Sequence, residues 1–254
     1  MGASRFIGLL EAGGDIASSM LPKFRYHSVY GYNAAVNTGA AEDIWVGGGT
    51  YTGFPVTGEE TLSVVSASAD DAAAGTGMRT MRIEGLSAAG AVINETVSLN
   101  GTTPVLTTQK FHRVSAIYGL TGGSGQTNAG DITVNHSGTT ANVFGVVLAG
   151  RGEAQTAAIT VPAGRQLIVR RLQFSVSGTP ASSVEVLFLL ETREPGSNLW
   201  RTRHTLSAKT VAGPSVSQPI GGTLIPSMTD IKISATTSGT IRAGARIEGI
   251  SFPT

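Results

Sequence analysis

Cysteine is absent from the 254 residues, which excludes disulfides, thiolate metal sites and thiol catalysis. Charge is scarce. Asp, Glu, Lys and Arg make up 14% of the chain and nearly cancel, at +1, where an ordinary globular chain carries about a quarter charged residues. A nucleic-acid binder needs a basic face, and so does a protein held on anionic lipid, so neither nucleic acid nor a membrane is expected as a partner. No run approaches about eighteen unbroken apolar residues, so no membrane-spanning helix is expected. Phe6 to Leu10 is too short for the apolar core of a signal peptide, and Glu11 and Asp15 follow closely, so no leader is expected. Histidine is also rare. His27, His112, His136 and His204 lie far apart in sequence and suggest no metal pair.

What the chain does contain favours strands. Apolar residues reach 41%, enough for substantial cores, and Gly numbers 34. Thr, Ser, Ala and Val are abundant, a composition suited to strands and tight turns rather than long helices. The pivot is Glu42-Asp-Ile-Trp-Val-Gly-Gly-Gly-Thr-Tyr-Thr-Gly-Phe-Pro55. Trp45, Tyr51 and Phe54 are large apolar bodies among small residues, and the glycines permit tight bends. This stretch is expected to be the hinge where an attachment arm, residues 1–41, enters a first β-domain over 42–149. The pattern weakens and restarts near Gly150, so a second β-domain is expected over 150–254. The fold class is all-β: two antiparallel β-sandwich (jelly-roll-like) domains preceded by an N-terminal arm.

Within the arm, Ser4 to Glu11 and Asp15 to Leu21 suggest short helical turns, the second ended by Pro22. Lys23 to Tyr32 then crowds Phe24, Tyr26, Tyr30 and Tyr32 into ten residues. It reads either as a docking strip for another subunit or as a strand lying across the first domain. With Trp45 and Tyr51 these four aromatics form the candidate interface. In the first domain, Thr80 to Glu84 alternates, with Met81 and Ile83 inward. Ala91 to Leu99 puts Glu95 on an apolar face, so Glu95 lies near an edge or finds a partner. Asn100-Gly101 signals a hairpin, and Val105 to Tyr118 is a strand region split around Lys110. In the second domain, Ser183 to Thr192 is apolar on both faces and therefore central. Arg201 and Arg203 are expected near Glu185 and Glu191 across the following hairpin.

Motifs of chemistry are sparse. Glu59-Glu60 and Asp70-Asp71 are adjacent acids in loops, read as solvated charges rather than a paired acid site. Gly119 to Gly130 lacks the Lys-Ser/Thr ending of a phosphate cradle and the aspartate of a calcium turn. The nucleophile elbow Gly-x-Ser-x-Gly is absent. No catalytic residue, cofactor or metal is assigned.

The order of several motifs resembles a family of structural proteins of tailed bacteriophages. The resemblance starts at Tyr30-Gly-Tyr-Asn33 and Glu42 to Tyr51. It runs through Leu62 to Ser68, Ala74 to Thr80, Asn94 to Thr102 and Phe111-His-Arg-Val114, and closes at Thr160 to Gly164 and Asp230-Ile-Lys-Ile-Ser234. It implies a non-enzymatic virion component, capsid decoration or head fibre or tail appendage. Such a component would dock through its arm to capsid or tail subunits and form a homo-oligomer, trimer first. The alternative is a receptor- or carbohydrate-binding knob of the tail, with loops 119–130 and 194–198 making the contacts. A glycan-cleaving enzyme would need a positioned acid pair, which the sequence does not mark.

Overall fold

Residues 23–177, 183–210 and 215–254 are described by a computed structural model. The helical turns expected over Ser4 to Glu11 and Asp15 to Leu21 lie outside the described residues. The fold is all-β, with no helix among the described residues.

The first strand, β1 (Arg25–Val36), comes from the aromatic strip and is followed by the short β2 (Glu42–Asp43). Seven strands then build the first sandwich: β3 (Glu60–Ser66), β4 (Met78–Leu86), β5 (Val92–Ser98), β6 (Val105–Phe111), β7 (Arg113–Gly122), β8 (Ile132–His136) and β9 (Val143–Val147). They form two sheets, β6-β3-β8-β9 and β5-β4-β7. Alternation drives this packing. Met81 and Ile83 on β4 are fully buried, while Arg82 and Glu84, which alternate with them, reach the surface. Leu62, Phe111, Ile132 and Phe144 join them in one core. Each such side chain contributes about 1.5–3 kcal/mol by leaving water.

The rest of the chain gives β10 (Ala158–Thr160), β11 (Arg165–Ser177), β12 (Glu185–Arg193), β13 (Arg201–Lys209), β14 (Ser215–Ile225), β15 (Asp230–Thr237) and β16 (Ile241–Pro253). One sheet runs β1-β16-β11-β14. The other runs β10-β15-β12-β13, with β2 beside β15. Phe174 of β11 stacks on Phe188 of β12 with centroids 4.4 Å apart, joining the two layers. β12 lies inside its sheet between β15 and β13, and Val186, Phe188 and Leu190 fill the core, but its second apolar face is not covered and leaves Leu187 exposed.

The aromatic strip does not cross the first sandwich. β1 pairs antiparallel with β16 from Arg25↔Ser251 to Val36↔Ile241, so this strand belongs to the second sandwich. The first sandwich is inserted between strands that the second one uses, β1 and β10. Local sequence carries no sign of this, because the partner of β1 lies more than two hundred residues away.

Two local expectations change. Asn100-Gly101 does not close a hairpin: β5 pairs with β4 and β6 with β3, in different sheets. Gly101 takes φ +60, and its N–H reaches the Asp71 carbonyl at 2.7 Å, so the turn is a corner between sheets. Glu95 finds its partners across that corner, accepting from the Thr108 and Gln109 amides of β6 at 2.8 Å each. On the β12–β13 hairpin the ion pairs differ from the expected ones. Arg201 pairs with Glu194 at 3.0 Å, Arg203 donates to the Thr192 hydroxyl, and Glu185 pairs with Lys209. A register shift between Leu190 and Glu191 moves the arginines along the strand.

Candidate functional site

The pivot stretch lies between the two sandwiches. Asp43 donates its amide to the Gly49 carbonyl at 2.9 Å and accepts the Tyr51 amide on its carboxylate at 2.7 Å. Gly48 and Gly49 take φ +69 and +60, the left-handed region that glycine tolerates best. Gly47 has a second reason to lack a side chain: a Cβ there would lie 2.3 Å from the Trp45 ring, which folds back over the loop. The rings then form a chain. Trp45 meets Tyr51 edge-on at 5.3 Å, Tyr51 meets Phe54 at 5.1 Å, and Phe54 reaches Trp200 of the second sandwich at 5.5 Å. The Tyr51 hydroxyl donates to the Phe144 carbonyl of the first sandwich at 3.0 Å. Burial pushes this phenol well above its ordinary pKa, so it remains a donor.

Beside the rings sits a buried ion cluster. Arg113 of β7 donates to the Asp230 carboxylate of β15 through Nε at 2.8 Å and Nη2 at 2.9 Å. Arg193, at the end of β12, donates to the same carboxylate at 3.1 and 2.6 Å, and the Thr160 hydroxyl adds a bond of 2.6 Å. The guanidiniums also hold the pivot, Arg113 through the Pro55 carbonyl and Arg193 through the Phe54 carbonyl. Phe54 lies 5.5 Å from one guanidinium and 5.7 Å from the other. Next to them Lys232 pairs with Asp43 at 2.7 Å and lies 3.8 Å from Glu191, with Trp200 4.6 Å away. Three cations thus face three carboxylates, which is how a low-charge chain tolerates burying them.

The surroundings set the titration of these acids. Burial raises the Asp230 pKa, but the hydrogen bonds and charge of Arg113, with Thr160 and Arg193, outweigh it and hold the carboxyl below its ordinary value. At Asp43 burial wins over the Lys232 ammonium, and the pKa is raised. Chemically the arrangement holds two bodies in one register. Asp230 and Asp43 each accept from the protein on both carboxylate oxygens.

The six aromatics singled out from the sequence separate in space. Trp45 and Tyr51 are buried in the seam. Phe24, Tyr26 and Tyr30 are exposed, at 38%, 44% and 36%, and Tyr32 is half-buried. Arg113, Arg193, Asp230 and Lys232 were not singled out, although Arg113 and the Asp230–Lys232 pair lie within two of the motifs quoted for the resemblance. A charge inside an otherwise apolar strand was the available signal.

The remaining candidates are scattered. His27 bonds the Ser251 hydroxyl, and burial with Arg165 and Arg25 nearby lowers its pKa to about 4. His112 contacts the Gly58 carbonyl, and His136 the Phe111 carbonyl at 2.8 Å. Glu60 accepts the Gly138 and Thr139 amides, while Glu59 accepts that of Ala88, so these neighbours point to different loops. Asp71 is not the solvated charge expected. It is fully buried and accepts from Ser66, Met78, Ala129 and Gly130. Burial alone would raise its pKa, but these bonds together hold it below the ordinary value. Among the described residues no group of three or more His, Asp or Glu is placed to hold a metal ion.

No family model matches the chain, and no curated protein matches it. Two solved structures of infectious bursal disease virus are similar at a low level. The structure of its Gt strain has 12% identity, with 94% of this chain and 78% of that chain covered and a TM-score of 0.25. The crystal structure of its VP2 subviral particle has 11% identity, 94% and 82% coverage and a TM-score of 0.19. Likeness of this degree decides nothing about function.

Proposed function

We propose that the protein is a non-enzymatic structural component of a tailed-phage virion, carried on the outer surface as capsid decoration, head fibre or tail appendage. The observation that carries this reading is the strand order of the second sandwich. The four-stranded sheet β1-β16-β11-β14 and the path β10-β15-β12-β13 of its five-stranded partner support a jelly-roll reading, with the other sandwich inserted in the first connection. Jelly rolls recur in viral capsid and lectin domains. Fold alone does not fix function, and two further features support the reading. The order of motifs resembles that of phage structural proteins. The buried acids and cations of the seam are also paired with one another, which suits a rigid body.

In this reading the protein docks to capsid or tail subunits through its N-terminal arm and the exposed aromatics that lead into the body, Phe24 and Tyr26 first. Homo-oligomers, trimers before other states, bury that apolar surface. Gold-antibody labelling of intact particles, viewed by electron microscopy, tests the reading. Label on heads or tails is expected. Absence of label, with the protein also missing from purified particles, overturns it.

A further inference from the structure

Between the sandwiches, on the open side of the seam, lies a cleft of 280 Å³. Ser28, Tyr30 and Arg246 line one wall, from the β1–β16 pair, and Tyr118, Glu153 and Thr156 belong to the other. Tyr30 and Arg246 are register partners and face outward, since Ala245 and Ile247 on either side of Arg246 are buried. The guanidinium carbon sits 5.7 Å from the centre of the Tyr30 ring. The same two side chains border a second hollow of 260 Å³ on the outer sheet face, with Gln173, Ser175 and Ser217. They therefore form a ridge between two concavities.

Two features of this ridge suggest a ligand. Among the described residues Arg246 has no carboxylate within ion-pairing distance, unlike the buried arginines of the seam. Gly244 leaves room for the Tyr30 ring. A Cβ there would lie 3.0 Å from the Tyr30 hydroxyl and 2.5 Å from the Ser175 hydroxyl.

We propose that this ridge and its two hollows bind an uncharged, hydroxyl-rich oligosaccharide. The exposed face of Tyr30 suits the C–H face of a sugar ring, because the ring face is electron-rich. Hydroxyls and amides of Ser28, Gln173, Ser175 and Ser217 both donate and accept, as sugar hydroxyls do. Arg246 donates and Glu153 accepts, so the cleft carries one charge of each sign. That balance argues against polyanions, since phosphate-rich ligands call for several cations without a carboxylate among them. Each volume falls just below the range of small-ligand sites, roughly 300–1,000 Å³, and domain interfaces are a preferred location for them.

The inference does not rest on the virion reading, and its test involves no particles. Calorimetric titration of the full chain would use neutral tri- and tetrasaccharides of gluco, galacto and manno configuration, one uronic-acid oligosaccharide and a single-stranded oligonucleotide. At least one neutral saccharide should bind. Tyr30→Ala and Arg246→Ala should each weaken it about tenfold or more, a loss of about one contact's worth of affinity. Tyr30→Phe should bind within about threefold of the parent, because stacking survives. Gly244→Ala tests the same ridge from beneath and should weaken binding by moving the Tyr30 ring. Thermal melts of each variant check that the fold is kept. Failure of every neutral saccharide at millimolar concentration, binding of the polyanions alone, or binding indifferent to Tyr30 and Arg246 overturns the proposal.

Discussion

Replacing Asp230 with asparagine should damage this protein more than its single lost charge suggests. Five hydrogen bonds converge on that carboxylate, from Arg113, Arg193 and Thr160. Asparagine keeps one acceptor oxygen and turns an N–H₂ group toward two guanidiniums, which stay buried without their counter-charge. Charge-assisted bonds contribute about 1.5–3 kcal/mol each but do not add. Removing one partner of a buried ion pair costs about 3–5 kcal/mol, so about 4 kcal/mol is expected. In a chain of this size about 1 kcal/mol moves the melting midpoint by about 2–4 °C. Scanning calorimetry should therefore show Asp230→Asn melting about 8–16 °C below the parent. The control is Glu194→Gln, which breaks the exposed Arg201–Glu194 pair and should shift the midpoint by less than about 2 °C. Acid should act as the substitution does. The Asp230 pKa is lowered by folding, so its contribution is present above the ordinary carboxylate pKa and is lost as pH falls through the folded value. An Asp230→Asn midpoint within about 2 °C of the parent would refute the argument that the cluster locks the seam.

Two further predictions concern the second sandwich. His27 titrates near 4 in the fold against 6.5 in the unfolded chain. The unfolded state binds more protons between those values, so stability is full above about pH 6.5 and falls on acidification toward pH 4, by up to about 3 kcal/mol. Urea unfolding of the parent and His27→Gln across that window checks this, and parallel slopes would contradict it. Gly31→Ala places a Cβ 2.1 Å from the Ile44 carbonyl oxygen and 2.2 Å from the Ala157 nitrogen, on the hydrogen bond that joins them. Backbone atoms cannot turn aside as a side chain does, so a loss of about 3 kcal/mol or more is expected by chemical denaturation, and a neutral result would show that β1 shifts freely.

Local elements were legible in the residue pattern. Period-two alternation placed Met81 and Ile83 inside, and Val186, Phe188 and Leu190 of β12 with them, because burial acts on each side chain where it stands. The split of Val105 to Tyr118 was also legible, and the break falls at His112 between β6 and β7. Partner choice was decided only by tertiary structure. Asn100-Gly101 looks the same whether it closes a hairpin or turns a corner between sheets, and β1 carries no mark of pairing with β16. The candidate site was legible in part. Trp45, Tyr51 and Phe54 stood out by size, but their burial between two sandwiches depends on Trp200 and Phe144 arriving from distant sequence. Arg113, Arg193 and Asp230 were hidden for the same reason. A lone charge on a strand says only that it needs a partner, and which partner it meets is fixed when the two sandwiches close on one seam.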